Sequence, residues 1–339
     1  MAAQATLHLT KHHGAGNDFL VLLDPEGRQP LTPAEVVALC RRRTGIGADG
    51  LVRVMAGSAR ADLVMELHNA DGSPAEMSGN GIRCLVQAAV VGGLVGPGPV
   101  SVLTGAGVRT VDYRVGAQPG VGYGAVDMGT ASLGEELGPG DLAAALAAVS
   151  DTAVADQARW LAGELGGARH IRRVDMGNPH LVLLGEVELA GRIAQLGPVL
   201  SGSTAQGANV ELVWPGPEPG ALSLRVWERG VGETLACGTG TCAAAAAARS
   251  WGEVGERVAV HNPGGTLEVT LGADTVTLAG PTVLVADVTV DATVLAAVVA
   301  AGRSDLEPVP PGPQIEPAVT GPAGEPGPDR DAQALEPRR

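Results

Sequence analysis

The stretch Trp227–Ala248, W-E-R-G-V-G-E-T-L-A-C-G-T-G-T-C-A-A-A-A-A-A, decides how the rest of the chain is read. It holds a charged pair, Glu228 and Arg229, then a turn broken by glycines, a cysteine flanked by Ala236 and Gly238, and a small-residue run that reads as a helix. An earlier stretch, His68–Cys84, H-N-A-D-G-S-P-A-E-M-S-G-N-G-I-R-C, has the same order and also runs into an apolar helix. Nine residues separate Glu228 from Cys237, and nine separate Asn69 from Ser78. The later copy has a thiol where the earlier one has a hydroxyl.

Working outward from this pair, the echo continues. G-N-D-F-L-V-L at Gly16–Leu22 is answered by G-N-P-H-L-V-L at Gly177–Leu183, an offset of 161 residues. Gly47–Asp49 is answered by Gly207–Asn209 at an offset of 160, Ser78 by Cys237 at 159, and Gly107 by Gly265 at 158. Four landmarks in one order with a slowly drifting offset identify a duplicated α/β unit. The expected fold is therefore α/β (α+β), with two pseudosymmetric lobes, each a curved, mainly antiparallel sheet around one central helix. Residues 6–130 are assigned to the first lobe, with a last strand at about 281–300 returning to it, and residues 131–280 to the second. Residues 304–339 contain nine of the 24 prolines together with acidic residues, the composition of a disordered tail.

Local signals place the elements. Thr6–Leu23 reads as strand, turn, strand, with His12–Asp18 as the turn. Thr32–Arg43 fits a helix with Thr32 as N-cap and Pro33 in its first turn, and Arg41, Arg42 and Arg43 form its solvated end. Strands are expected at Leu51–Met55 and Ala61–His68, a helix at Ile82–Val91 stopped by Gly92 and Gly93, and a hairpin over Val100–Val115. Asp141–Arg169 reads as an Ala-rich helical insertion.

Composition narrows the function. A net charge of −14 disfavours a nucleic-acid partner, and no run approaches the ~20 apolar residues of a membrane span, so a cytoplasmic protein is expected. The four cysteines lack C-x-x-C spacing, which argues against both zinc and disulfides, and no metal is expected. Cys40, Cys84 and Cys242 read as small apolar core residues. Lys11 is the only lysine, so a pyridoxal Schiff base would rest on it alone, and no glycine-rich dinucleotide fingerprint is present. The expectation is a protein without a cofactor.

Cys237 stands apart from the other cysteines. A thiol with an ordinary pKa of about 8.5 becomes a usable base where a helix N-terminus favours its thiolate. The exposed N–H groups around Gly238, Thr239 and Gly240 suit a substrate carboxylate at the same helix start. Gly79, Asn80 and Gly81 offer the same behind Ser78. Two such starts brought face to face would set Ser78 and Cys237 on opposite sides of one carbon, the geometry of two-base stereoinversion. Asn17, Asn69, Asn178, Asn209, Glu228 and Arg229 lie at matched turns and suit the charged groups of an amino-acid substrate.

The motifs G-x-G-N-D-F, N-A-D-G-S-x-x-E-M-x-G-N-G-x-R, M-G-N-P-H and E-R-G-x-G-E-T-x-A-C-G-T-G resemble those of the diaminopimelate epimerase family. The resemblance implies a cofactor-independent isomerase converting LL- to meso-diaminopimelate on the route to lysine and peptidoglycan, commonly as a homodimer. It implies that Asn17, Asn69, Asn178, Asn209, Glu228 and Arg229 bind the distal zwitterionic end of the substrate. Gly79, Asn80, Gly238 and Thr239 would bind the reacting carboxylate, and His180 and Glu228 would tune the bases. The sequence departs from the family at Ser78, where the second catalytic cysteine is expected, and at Gly50, where many members carry glutamine. A serine hydroxyl needs an activating neighbour, such as His180 or water, to act as a base. One-base lyase or isomerase chemistry on another amino acid, and amino-acid binding without turnover, remain as alternative readings.

Overall fold

The computed structural model describes residues 6–142, 163, 165–202 and 206–301. The first half contains β1 (Thr6–Gly14), β2 (Asn17–Leu23), α1 (Pro33–Cys40), β3 (Gly50–Ser58), β4 (Ala61–Asn69), β5 (Pro74–Ala75), α2 (Gly79–Val91), β6 (Gly98–Thr104), β7 (Gly107–Val115) and β8 (Val121–Asp127). The second contains β9 (Ser132–Glu136), β10 (Ala168–Asp175), β11 (Pro179–Gly185), α3 (Val187–Ala190), α4 (Ile193–Ser201), β12 (Asn209–Pro215), β13 (Leu222–Glu228) and β14 (Gly232–Thr234). It continues with α5 (Gly238–Ser250), β15 (Arg257–Asn262), β16 (Gly265–Leu271), β17 (Val276–Asp291) and α6 (Ala292–Ala301). Most of the Asp141–Arg169 insertion and the whole tail from 304 lie outside the described residues.

The pairing pattern repeats. β2 runs parallel to β3 with Phe19 opposite Gly50, as β11 runs parallel to β12 with His180 opposite Asn209. β3 pairs antiparallel with β4 and β12 with β13, while β4 is parallel to β6 and β13 to β15. The hairpins β6–β7 and β15–β16 complete the two copies. The duplication expected from the offsets is thus a duplication of topology, with sheet wrapped round α2 in one half and α5 in the other.

The apolar runs explain this wrapping. On β2, Phe19 and Val21 face the cluster around α2, while Leu20 and Leu22 face an outer layer with Val36 and Leu39 of α1. On β11, Val182 and Leu184 face α5, while Leu181 and Leu183 face Ile193 and Leu196 of α4. Such central strands are covered on both faces and need continuous hydrophobicity. Ala243–Ala248 of α5 all face buried surroundings, and their small size lets strands close tightly about the helix.

Four boundaries differ from the sequence reading. The first hairpin turn contracts from His12–Asp18 to Ala15 and Gly16, both at positive φ (49° and 79°), because His12 and His13 keep pairing with β2 and β17. α1 ends at Cys40, short of the expected Arg43; Arg41, Arg42 and Arg43 are exposed as expected, and Arg42 also reaches Asp18 at 2.7 Å and Asp49 at 2.5 Å. α2 starts at Gly79 rather than Ile82, since Ser78 caps it and the glycines form its first turn. The strand expected to reach about 300 stops at Asp291, whose carboxylate accepts the N–H of Thr293 and Val294 and starts α6. Upstream of that cap β17 pairs in succession with β16, β8 and β1.

Candidate active site

Ser78 and Cys237 are the N-caps of α2 and α5, with near-identical extended backbones (φ −143°, ψ 120° and φ −116°, ψ 119°). Each side chain accepts from the third amide onward: Ser78 Oγ from Gly81 N–H at 3.0 Å, Cys237 Sγ from Gly240 N–H at 3.4 Å. The two helix starts meet. A Cβ placed on Gly238 would lie 3.4 Å from Gly79 Cα, and Leu278 Cδ2 would crowd a Cβ on either glycine, at 2.9 and 3.1 Å. Two sets of free N–H groups and two positive helix ends therefore share one spot, which suits a carboxylate and the charge that builds on it during proton removal.

The polar ring around this spot sits on strand ends. Asn17 opens β2, Asn178 precedes β11, Asn209 opens β12, Asn69 closes β4 and Glu228 closes β13. The register places Gly50 opposite Asn69 and, continued one residue past the Val210–Trp227 pair, Asn209 level with Glu228. Asn17 accepts from Asn80 at 3.1 Å and donates to Asp49 at 2.8 Å. Asn178 donates to Thr239 Oγ1 at 3.4 Å, and Asn209 Oδ1 accepts the Arg229 N–H at 2.9 Å. Asn69 is exposed and its amide is held by Ser73 at 3.0 Å, and the Arg229 guanidinium is turned to Gln206 O at 2.8 Å. Those two point to local turn partners rather than to the other site residues.

The two faces differ in chemistry. Behind Cys237, His180 and Glu211 form a fully buried pair at 2.7 Å, and the Glu228 carboxylate accepts from the Thr234 hydroxyl. Burial, then the charges of Glu228 and Glu211, push the Cys237 thiol well above the usual range, against hydrogen bonds from Thr239 and Gly240. Burial also raises the Glu228 carboxyl. Desolvation and the neighbouring carboxylates therefore act against the thiolate that the helix start and the Thr239 and Gly240 hydrogen bonds favour. Behind Ser78 stand Phe19, whose ring lies 3.3 Å from a Cβ on Gly81, and Val52. Both ring nitrogens of His180 are engaged, Nδ1 by Glu211 Oε1 at 2.7 Å and Nε2 by Asn178 Oδ1 at 3.0 Å, so the expected relay from Ser78 through His180 is not formed.

A sequence profile of diaminopimelate epimerase matches residues 9–134 and 172–285. The diaminopimelate epimerase of Thermobifida fusca is 39% identical over 300 residues, covering 83% of this chain and 97% of that protein. That of Corynebacterium glutamicum is 38% identical over 293 residues, with the same coverage. The chain belongs to the diaminopimelate epimerase family. Solved structures extend the fold beyond the diaminopimelate epimerases. A PhzF-family phenazine biosynthesis protein of Bacillus anthracis superposes with a TM-score of 0.61 at 16% identity, covering 84% of this chain and 99% of that one. A hydroxyproline epimerase of Agrobacterium vitis does so with 0.59 at 16%, covering 86% and 94%.

Within this family member, Glu211 and Arg83 escaped the sequence reading, and Lys11 entered it only as the sole lysine. Glu211 interrupts the otherwise apolar run of β12, and Arg83 interrupts that of α2; a lone charge inside a buried element was the available signal. Arg83 is fully buried, donates to Gly79 O at 3.1 Å and Asn80 Oδ1 at 2.7 Å, and is pushed down to about 10 by burial. Lys11 is held by Asp18 at 2.9 Å, within the Arg42–Asp18–Asp49 cluster that carries Asn17.

Proposed function

We propose that this chain epimerises an amino acid at Cα without a cofactor, interconverting LL- and meso-diaminopimelate for lysine and peptidoglycan-precursor synthesis, in the cytoplasm and as a homodimer. The observation that carries the reading is the meeting of two capped helix starts at Gly79 and Gly238, with a proton-carrying side chain on each side. The reacting carboxylate binds the N–H groups of Gly79, Asn80, Gly238 and Thr239, which strengthen their hold as negative charge spreads onto it. Cys237 exchanges a proton with Cα on one face and Ser78 does so on the other. Asn17, Asn69, Asn178, Asn209 and Arg229 take the distal zwitterionic end after the exposed groups turn inward.

Ser78 makes this site lopsided. A carbanion next to a carboxylate is basic enough to take a proton from a hydroxyl, but a hydroxyl is far too weak an acid to stand ionised as a base. Inversion is then slow in the step that needs Ser78 to remove a proton, and fast exchange is confined to the Cys237 face.

Incubation of the protein with LL-diaminopimelate in deuterated water tests the reading. Deuterium is expected at Cα with both stereoisomers accumulating, and Cys237→Ala is expected to reduce exchange to background. Exchange without inversion supports one-base chemistry instead. Full exchange by Cys237→Ala would remove the base assignment.

A further inference from the structure

We propose that Glu211 is a positioning residue for Cys237, acting through a hydrogen-bonded chain made of His180, Asn178 and Thr239. The proposal rests on Cys237 as the proton-transferring group. Its links are Glu211 Oε1 to His180 Nδ1 at 2.7 Å, His180 Nε2 to Asn178 Oδ1 at 3.0 Å, Asn178 Nδ2 to Thr239 Oγ1 at 3.4 Å, and Thr239 Oγ1 to Cys237 Sγ at 3.4 Å. The carboxylate also lies directly under the helix start, because a Cβ on Gly240 would come within 2.5 Å of Glu211 Oε1. A glycine at 240 is what leaves room for it.

The donor order along this chain has two senses. With a proton on both ring nitrogens, His180 donates to Glu211 and to Asn178 Oδ1, Asn178 donates to Thr239, and the Thr239 hydroxyl is left to donate to sulfur. That order favours a thiolate. With Nε2 unprotonated, the Asn178 amide turns over, its N–H meeting the imidazole and its oxygen accepting the Thr239 hydroxyl, so that the thiol becomes the donor at the far end. The first order requires an anion beside Nδ1, and Glu211 supplies it in a place with no exposure to solvent. The remaining charged groups facing this corner are Glu228 on β13 and, beyond it, Asp49.

The equivalent lobe lacks the device. By strand register Phe19 stands where His180 does and Val52 where Glu211 does, so among the described residues the hydrogen-bonded chain is found on the thiol side alone. This asymmetry matches the asymmetry of Cys237 and Ser78, which are the groups it would or would not serve.

Glu211→Gln tests the proposal, since the amide keeps an acceptor for Nδ1–H and removes only the charge. Peptide-resolved alkylation of Cys237 by iodoacetamide, followed against pH, is expected to shift upward, with a rate at pH 8 lowered about tenfold. The kcat of Cα deuterium exchange is expected to fall about tenfold or more while KM stays within about twofold. An unchanged alkylation profile would reduce Glu211 to a packing role. A downward shift would mean that it acts on the thiol only as a repelling charge, and either result overturns the proposal. Gly240→Ala, which displaces the carboxylate without altering its charge, is expected to reproduce the upward shift. Absence of Cα exchange in the unsubstituted protein would count against the epimerase reading, and the alkylation profile would still decide the role of Glu211.

Discussion

Ser78 and Cys237 share a backbone conformation, a capping hydrogen bond and a place at a helix start, and differ in one atom. On the proposed two-base reading, that atom sets the rate on one face of the substrate. Ser78→Cys is expected to raise the rate of stereoinversion about tenfold or more in a coupled epimerisation assay, since a thiol ionises far more readily than a hydroxyl. No rise would show that the Ser78 face takes no part in proton transfer. Residue identity behind the caps was only partly legible: Cys237 stood out because Gly238 and Gly240 follow it, whereas Glu211 could be recognised only as an oddity in an apolar strand. Its partner His180 is 31 residues away.

Among the elements, the end of β2 is stapled to β3 by a buried ion pair. Asp24 accepts from Arg53 Nε at 2.9 Å and Nη2 at 2.8 Å, and from the amides of Arg28 and Gln29. Burial works against its ionised form, but the Gln29 amide, the Arg53 guanidinium and the Arg28 amide outweigh this and lower its pKa. A lowered carboxyl pKa adds stability above the unfolded value of about 3.9, and that stability fades as pH falls through the folded value. Asp24→Asn is expected to cost about 3 kcal/mol at pH 7, the low end for breaking a buried pair because Glu66 still holds Arg53. Urea unfolding at pH 7 and pH 3 checks this, and the difference from the unsubstituted protein should shrink at the lower pH. A difference independent of pH would exclude the ion pair as its cause. The existence of these strands was readable from alternation and apolar runs, but the two-residue turn at Ala15 and Gly16 and the early start of α2 depended on pairing partners and a cap.

At the scale of the molecule, the site exists because two copies of one unit bring their central helices nose to nose. Glycines at 79 and 238 allow this approach. Gly238→Ala adds a methyl 3.1 Å from Leu278 Cδ2, which must give by a few tenths of an ångström, and sets it in van der Waals contact with Gly79 Cα at 3.4 Å, in the space between the two helix starts. The expected result is a loss of about 1–3 kcal/mol in stability and a drop of about 100-fold in kcat/KM for exchange. Retained activity would mean that the carboxylate is bound elsewhere.

The duplication, the paired positions of Ser78 and Cys237 ahead of their helices, and the family motifs were present in the sequence alone, because turns and repeat offsets are short-range patterns that the chain carries along its length. The same patterns reveal that Ser78 replaces a thiol. Tertiary structure alone decided that His180 meets Glu211, that Arg83 underlies Asn80, and that burial and the nearby carboxylates raise the pKa of Cys237. These depend on burial and on distances between residues remote in sequence, and a group's charge follows from what surrounds it in space rather than from its neighbours along the chain.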